Sequence, residues 1–553
     1  MQRPWLVTAT PPTPNGELHL GHLSGPYLAG DIFSRHQRRL SGSVTYLTGI
    51  DDNQSYTELR ALRDGRSPQE TADHFGDRIE RGWRDAGIHF DLIARPRLSP
   101  HHREFTRAIF QDLYDKGHIL PRTRPLPYCD SCDRWAFEAF VVGSCPHCGT
   151  RACGNACEVC GRPNDCADLG DPHCTLCGSA CVPRDCTRLY LPLEHHRPVL
   201  ESFWREVGMN GHLTALCDDM QTAGLPEIAV SHPADWGVEV PVEGFSDHRV
   251  YVWFEMAAGY LAATQEHLDR NGAGRWQDVW HSGERIVQFF GFDNGYFHAV
   301  LFPAVMSAHD PRITLPNTFV SNEFYRLDGE KFSTSRQHAI WLLDALRDTP
   351  ADHLRIHLSW TRPSTRQTSF TRQDFAAHLH GDRLPRWYGW LEDLTRRAEQ
   401  ANAEQANAPQ EAVQDDDDRR GNTGRLLRAR VADVLHLVDT AYSAEEFSPR
   451  TVLDLLDMIV DDAQEAGRDG DHLLGRPGLR EAYLDCVAAQ LSAAAAFAVG
   501  LHPIAPQMAQ QIWSALELAG SVESLPWEDA LSGVTVPNKV GNLAHACTLF
   551  IPE

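Results

Sequence analysis

Paired cysteines constrain this chain more than any other feature of its sequence. Twelve of its fifteen cysteines lie between residues 129 and 186, and eight of these form four Cys-x-x-Cys pairs. Such pairs are typical of tetrahedral zinc sites, so the sequence predicts two structural Cys₄ sites with no position open to water. Spacing alone leaves three ways of combining the pairs. The pairs are Cys129 with Cys132, Cys145 with Cys148, Cys157 with Cys160, and Cys174 with Cys177.

The segment before the cysteines has an α/β pattern. Within residues 6–48 a β-rich run, a Pro/Asn/Gly loop, a helical pattern and a second β-rich run follow one another. This order is typical of a βαβ unit and predicts a Rossmann-type parallel sheet. Ligands of such sheets bind outside the carboxyl ends of the strands, where Asn15, Gly16 and Asp51 lie.

The remainder of the chain divides into two regions of different character. Residues 225–330 are predicted to supply the second half of the same sheet, with a β-rich run at 249–254. Beyond residue 370 long helical patterns predict a bundle, and the polar stretch 399–424 is predicted to be a disordered loop within it. The cysteine-rich insertion is predicted to be too rich in loops to build an apolar core of its own.

Charge and composition exclude several classes of protein. Fifty-one basic and seventy-five acidic residues give a net charge of -24, which argues against non-specific binding of nucleic acid. No apolar run approaches the roughly 20 residues that a membrane helix needs. The N-terminus also lacks an apolar signal segment, so a cytoplasmic protein with no membrane association is predicted. Only three lysines occur, at 116, 331 and 539.

Two short motifs carry residues suited to phosphate chemistry. His19 and His22 lie three residues apart at the start of a helical pattern, so both imidazoles share one face, and Gly21 between them permits close approach of a nucleotide. Lys331 lies in a polar loop at 329–336, where a compact, mobile ammonium suits a moving phosphate group. Taken separately, the histidines could be capping residues and the loop could simply be solvated.

Together, His19-Leu20-Gly21-His22 and Lys331-Phe332-Ser333-Thr334-Ser335 resemble the two signatures of class I aminoacyl-tRNA synthetases. The segments between them are similar to the methionyl-tRNA synthetase family, and the resemblance runs from residue 5 to residue 552. These segments are Asn15-Gly16, Thr48 to Asp52, the cysteine pairs, Trp236 to Val238, Tyr251 to Tyr260, Phe290 to His298, and Ala351 to Arg355.

The resemblance implies formation of an aminoacyl adenylate and pyrophosphate from ATP and an amino acid, with the aid of Mg²⁺. It also favours one zinc on Cys145, Cys148, Cys157 and Cys160, and a second on Cys129, Cys132, Cys174 and Cys177. The implied catalytic residues are His19, His22, Lys331, Thr334 and Arg336. The implied ATP-binding residues are Asn15, Gly16, Gly21, Asp293, Ser333 and Ser335. The implied amino-acid-binding residues are Thr13, Asp51, Trp253, Met256, Tyr260, Phe297 and His298.

The same resemblance predicts five segments. They are a first half of the Rossmann catalytic domain at 1–114, a zinc-knuckle insertion at 115–190, a second catalytic half at 191–325, a signature-loop region at 326–372, and a helical bundle resembling an anticodon-binding domain at 373–553.

Several positions depart from the family pattern. Thr334 stands where the family usually has a second lysine, with Arg336 as the nearest substitute. Thr13 replaces a tyrosine, and Met256 lies in a changed segment of the methionine pocket. The asparagine and tryptophan with which the family reads the anticodon are missing from the matching stretches, 380–385 and 460–466.

These departures predict an enzyme that activates an amino acid and transfers the acyl group to a small-molecule acceptor. The chain is similar to the synthetase-like halves of hydrazine-forming enzymes, which work with a cupin metal domain, so a separate cupin partner is a further hypothesis. One alternative is an authentic methionine–tRNA ligase, such as an antibiotic-resistant duplicate. Another is a non-catalytic, zinc-dependent binding protein.

Overall fold

A parallel sheet of five strands organises the first 325 residues. The computed structural model describes residues 4–283, 285–332, 338–381, 383–406, 422–476, 478–527 and 529. The strand order is β14-β13-β1-β2-β3. Every residue of β1 is buried, as expected for a parallel strand covered on both faces. The strands are β1 (Trp5–Ala9), β2 (Val44–Gly49), β3 (Leu92–Ala94), β13 (Arg285–Gly291) and β14 (Thr318–Asn322).

Helices cover both faces of this sheet, which confirms the predicted α/β fold class. The chain between β1 and β2 turns through one α-helical turn and a π-helical turn at Leu23–Tyr27 before the longer helix begins. The helices are α1 (Leu20–His22), α2 (Leu28–Ser41), α3 (Ser55–Asp64), α4 (Pro68–Asp85), α5 (His102–Asp115), α6 (Arg197–Glu206), α7 (Gly211–Ala223), α8 (Val252–Arg270), α9 (Trp276–Trp280) and α10 (Phe302–His309).

The cysteine-rich insertion is built mainly from antiparallel strands. Contrary to the sequence prediction it has a small apolar core, in which Phe137, Phe140 and Val141 pack against Leu126 and against Leu59 of α3. The strands of the insertion are β4 (Leu120–Cys129), β5 (Arg134–Trp135), β6 (Glu138–Ser144), β7 (Arg151–Gly154), β8 (Gly170–Cys174) and β9 (Val182–Pro192), and they are followed by β10 (Glu227–Ala229), β11 (Ser231–Pro233) and β12 (His248–Val250).

Contrary to the prediction, the β-rich run at 249–254 does not join the main sheet. His248–Val250 pairs with Ser231–Pro233 in a separate two-stranded sheet, and helix α8 begins at Val252. Its aromatic and β-branched residues are buried by packing and not by strand pairing, which the sequence pattern cannot distinguish.

A small sheet and three helices connect the main sheet to the C-terminal bundle. Lys331 lies at the end of β16, which pairs antiparallel with β15. The connecting elements are β15 (Tyr325–Leu327), β16 (Glu330–Lys331), β17 (Thr368–Phe370), α11 (Leu342–Asp348), α12 (Ala351–Trp360) and α13 (Arg372–His380). The predicted division into five segments stays a prediction.

The C-terminal region is helical, as predicted. Helix α14 extends to Ala406 and α15 begins at Asn422, so both ends of the stretch predicted to be disordered are helical; residues 407–421 lie outside the described residues. The helices are α14 (Arg383–Ala406), α15 (Asn422–Ala441), α16 (Pro449–Asp471), α17 (Arg480–Leu501) and α18 (Pro506–Ala515).

Helix α17 is long and apolar enough to cross a membrane by length and composition. In the structure 78% of its most apolar window is buried inside the protein, where it packs against α15, α16 and α18. The sequence prediction overlooked this run because alanines supply much of its apolar character.

A buried ion pair joins the bundle to the sheet domain. Arg355 of α12 binds Asp31 of α2 at 2.7 Å, and both side chains are fully buried. The same guanidinium donates to the carbonyl oxygens of Pro503 and Ile504 beyond α17. Through Arg355, these contacts hold the segment after α17 against α2, the helix that follows the first signature.

Candidate active site

A cavity lined by His19 and His22 of the first signature lies at the carboxyl ends of the parallel strands. Its volume is about 410 Å³. Thr10 follows β1, Asp51 follows β2, and Gly291 and Asn322 end β13 and β14, so four strands direct the chain to this opening. The cavity is therefore at the position where open parallel sheets bind ligands.

The two histidines stack at the wall of this cavity. Their rings are 3.7 Å apart, and each Nδ1 accepts a hydrogen bond from the backbone N–H of the other residue, at 3.2 and 3.3 Å. Since each Nδ1 is an acceptor, the hydrogen of each neutral imidazole lies on Nε2. Burial lowers the pKa of His22 to about 4, and burial together with His22 lowers that of His19 well below its usual value. Both rings therefore act as uncharged N–H donors.

Packing leaves little room for a side chain at Gly21. A Cβ at this position would lie about 3.0 Å from the ring of His19 and 3.1 Å from that of Phe332. Phe332, next to Lys331, stacks on His19 with ring centroids 4.6 Å apart. The two signatures, more than 300 residues apart in sequence, thus contact each other directly.

Lys331 contacts the cysteine-rich insertion at the wall of the cavity. Its ammonium forms an ion pair with Glu158, which lies between Cys157 and Cys160, and both side chains are about half exposed. Asp293 lines the same cavity, and burial, followed by repulsion from Glu158, raises the pKa of its carboxyl to about 6. The sequence analysis missed Glu158, although its position inside a cysteine pair fixes it on a rigid turn.

Acidic groups outnumber cations around this cavity. Among the described residues that line it, Lys331 is the one lysine or arginine, whereas five carboxyl groups are present. A triphosphate placed here would need a counter-ion in addition to Lys331. The five acidic residues are Glu17, Asp51, Glu158, Asp293 and Glu323.

A second, smaller cavity of about 40 Å³ adjoins the first. Asp51 and Pro11 line both cavities, whereas Met256 and Tyr260 of α8 line only the smaller one. Asp51 is buried and accepts a hydrogen bond from Gln54 at 2.7 Å. Burial, followed by repulsion from Glu255, raises the pKa of Asp51 well above its usual value. A bound cation at Asp51 would relieve this repulsion.

Most of the remaining predicted residues line the larger cavity. Trp253 and Phe297 form a parallel stack there, with ring centroids 3.7 Å apart. His298 is not among the lining residues, because its ring is buried against Phe290 and its Nδ1 lies 2.9 Å from Gln288 Oε1. Thr13, Asn15, Gly16 and Gly21 also line the larger cavity. Ser333, Thr334, Ser335 and Arg336 lie outside the described residues.

The eight paired cysteines form two groups, combined as the family resemblance favours. Within each group all four sulfur atoms lie within 4.8 Å of one another. Sulfurs bound tetrahedrally at 2.3 Å from a zinc ion would be about 3.8 Å apart. The Sγ–Sγ distances are 3.5 Å for Cys129–Cys177, 4.0 Å for Cys132–Cys174, 3.9 Å for Cys145–Cys160 and 3.7 Å for Cys148–Cys157.

Backbone geometry supports these groups. The glycine that follows each of three cysteine pairs has a positive φ, of 73° at Gly149, 72° at Gly161 and 80° at Gly178. Each of their N–H groups donates to the carbonyl oxygen of the first cysteine of its pair. The tight turns place the thiols of each pair on the same side of the chain, so the two groups could each hold a metal ion.

This fold and this site define the class I aminoacyl-tRNA synthetases. Residues 5–387 match the family model described as tRNA synthetases class I (M). The chain is 36% identical to the methionine–tRNA ligase of Porphyromonas gingivalis over 387 residues, which are 68% of this chain and 55% of that protein. It is 33% identical to the methionine–tRNA ligase of Pyrococcus furiosus over 391 residues, 68% of this chain and 54% of that protein.

Within this class, the chain belongs to the methionyl-tRNA synthetase family. It spans about half the length of the curated relatives it matches. A crystal structure of Mycobacterium tuberculosis methionyl-tRNA synthetase bound by methionyl-adenylate has the same fold, with a TM-score of 0.76 over 98% of this chain and 100% of that chain, at 18% identity.

Proposed function

We propose that this protein activates an amino acid with ATP to form an aminoacyl adenylate and pyrophosphate. The observation that supports this proposal most strongly is the meeting of three elements at one cavity. They are the stacked imidazoles of His19 and His22, the ammonium of Lys331 and the buried carboxyl of Asp51. A binding protein without catalytic activity would need none of these elements in this arrangement.

The proposed reaction needs no activated side-chain nucleophile. The substrate carboxylate attacks the α-phosphorus of ATP, forming a C–O–P link, while the bond to the β-phosphate oxygen breaks and pyrophosphate leaves. The enzyme contributes by orienting the two reactants and by stabilising charge on the phosphates. The Nε2–H groups of His19 and His22 donate to phosphate oxygens, Lys331 neutralises the departing pyrophosphate, and Asp51 holds the substrate ammonium.

Two kinds of metal ion belong to this proposal. Mg²⁺ bound to the triphosphate would offset the excess of carboxyl groups around the cavity, which suits its preference for oxygen ligands. Zinc in each cysteine group would have a purely structural role, since four thiolates leave no open position. Glu158 forms an ion pair with Lys331 and Asp293 lines the same cavity, so these two carboxyl groups are proposed to face the Mg²⁺-bound phosphates.

For the acyl acceptor we propose a small molecule, and the C-terminal bundle is the basis for this step. At the positions that match the anticodon readers of the family, α16 carries Asp461 and Asp462, which form ion pairs with Arg386 and Arg430. Each carboxylate forms an ion pair with an arginine that would otherwise attract phosphate. The ion pairs compensate part of the negative charge of these two carboxylates. The separate cupin partner stays a prediction.

The alternative acceptor is a methionine tRNA, because the relatives named above are methionine–tRNA ligases. Exchange of labelled pyrophosphate into ATP in the absence of tRNA tests the activation step, and we expect exchange that depends on an added amino acid. Charging of bulk tRNA with methionine then tests the acceptor. Efficient charging would replace the small-molecule proposal with the ligase, and absence of exchange with all amino acids would contradict activation itself.

We expect the affinity for the amino acid to depend on pH through Asp51. Because burial and Glu255 hold the pKa of its carboxyl well above the usual value, more of it is protonated as the pH falls. A protonated carboxyl cannot form an ion pair with the substrate ammonium, so the KM for the amino acid should rise several-fold between pH 7.5 and pH 5.5. The measurement is exchange kinetics at intermediate pH values.

Asp51→Asn is the control for this pH dependence. This variant should have a high KM for the amino acid that stays nearly constant over the same pH range. The histidines should not contribute, since a pKa of about 4 leaves His22 uncharged throughout. A wild-type KM that does not change with pH would contradict the role given to Asp51.

A further inference from the structure

The smaller cavity is placed to receive the side chain of the amino acid. Because Asp51 lines both cavities, a substrate whose ammonium binds Asp51 can extend its carboxylate into the larger cavity and its side chain into the smaller one. Most of the smaller cavity is apolar, with walls that include Leu47, Ile50 and Ala263. This inference rests on the proposed activation of an amino acid and concerns which class of amino acid is activated.

Two polar atoms in the walls of this cavity have no partner among the described residues. They are Oε2 of Glu255 and the hydroxyl of Tyr260, in side chains that are 1% and 4% exposed. The other carboxylate oxygen of Glu255 is fully used, since it accepts from Asn53 Nδ2 at 2.5 Å and lies 2.7 Å from His102 Nε2. A buried carboxylate oxygen without a donor is costly, and buried polar groups are nearly always paired.

The surrounding charges favour a donor at this position. Asp51 lies close to Glu255 and to Asp52, and Glu255 is the largest charge that raises the pKa of Asp51. Among the described residues, Asp52 has Arg97 at 4.0 Å, whereas the ion-pair partner of Glu255 is the imidazole of His102 at 2.7 Å. The substrate ammonium at Asp51 would compensate one carboxylate and leave Oε2 of Glu255 without a hydrogen bond. A thioether has no hydrogen to donate and could not supply it.

We propose that Glu255 determines specificity by accepting a hydrogen bond from the side chain of the substrate, which is therefore an amino acid whose side chain ends in an N–H or O–H donor. Met256 lies in the same wall, and its flexible side chain can move to admit the donor. A site built to hydrogen-bond a substrate group can reject an analogue that lacks it by about 10⁴–10⁵-fold. The tyrosine hydroxyl of Tyr260 can pair with the same substrate group.

The first experiment compares all twenty amino acids in tRNA-independent pyrophosphate exchange. We expect the highest kcat/KM for an amino acid with a donor-bearing side chain, at least about 100-fold above that for methionine or leucine. A preference for methionine or another amino acid without a side-chain donor would overturn the inference. Thermal shifts with each amino acid alone provide a second measurement that does not require chemistry. Donor-dependent binding without exchange would support the cavity assignment and contradict the proposed activation.

The second experiment replaces the unpaired acceptor. Glu255→Gln keeps the shape of the side chain but turns one oxygen into an N–H donor, so kcat/KM for the preferred amino acid should fall about 100-fold or more relative to that for methionine. Glu266→Gln is the matched control, because Glu266 is also buried on the same helix but is bonded to Ser99 and Arg270 and does not line the cavity. This control should leave the ratio unchanged.

The ratio of the two substrates separates specificity from folding. A Glu255→Gln protein that only folds poorly would lose activity with both amino acids and would have a lower melting temperature than the control. If the variant folds and its ratio equals that of the wild type, Glu255 does not contact the substrate. If the variant folds only in part, active-site titration gives the concentration of folded enzyme. The ratio of kcat/KM for the two amino acids, measured on that fraction, then decides whether Glu255 contacts the substrate.

Discussion

Replacing Lys331 with alanine is expected to lower the rate of pyrophosphate exchange by about 10²–10³-fold. The reason is electrostatic: Lys331 is the one lysine or arginine among the described residues that line the large cavity, which five carboxyl groups surround. Thr334 occupies the position of the second signature lysine, so the second signature has one lysine fewer to stabilise phosphate charge than the family pattern provides. The effect should appear mainly in kcat, since the charge on the leaving pyrophosphate develops in the transition state.

Lys116→Ala is a matched control for this experiment. Lys116 is a lysine of similar exposure that pairs with Asp112 on helix α5, and it does not line either cavity. Its replacement should leave exchange unchanged. A Lys331→Ala protein that keeps full exchange activity, with ATP at saturation and near its KM, would show that the assignment of this lysine is wrong.

Replacing Cys157 with serine is expected to remove one of two zinc ions per chain and to destabilise the protein strongly. A structural zinc site contributes on the order of 10 kcal/mol to the folded state. The loss should also reach the active site, because Glu158, the next residue, forms the ion pair with Lys331. Metal analysis, thermal unfolding and exchange kinetics measure the three effects.

Cys181→Ser is the control for the metal site. Cys181 belongs to the same insertion but to neither group of four cysteines, so this variant should retain two zinc ions and normal stability. Two zinc ions in the purified Cys157→Ser protein would contradict the proposed ligand set. One zinc ion in the wild type would contradict the proposed number of sites.

The sequence predicted those features that depend on local pattern. The βαβ start, the parallel sheet and the helical character of the C-terminal region follow from periodicity and turn residues. The two cysteine groups follow from spacing together with the family resemblance. The meeting of the two signatures follows from the resemblance, because nothing in the spacing alone places Phe332 against His19.

Other features depend on contacts between distant segments, which the pattern does not contain. The ion pair of Glu158 with Lys331 joins residues 173 positions apart, and the contact of His102 with Glu255 joins residues 153 apart. The burial of His298 away from both cavities depends on Phe290 and Gln288. The apolar core of the insertion was missed because Leu59, one of its members, comes from α3, which lies outside the insertion in sequence.

The position of β1 in the main sheet has a consequence for biosynthesis. One edge of β1 pairs with β2, whereas the other pairs with β13, beginning with Trp5 opposite Arg285. During synthesis on the ribosome, that second edge stays unpaired until residues 285–291 have been made, roughly 15–60 s after β1 emerges. Throughout this interval a row of unsatisfied peptide groups is available to other nascent chains. Truncated products that stop before residue 285 should therefore aggregate, and chaperone supply should limit the yield of full-length protein.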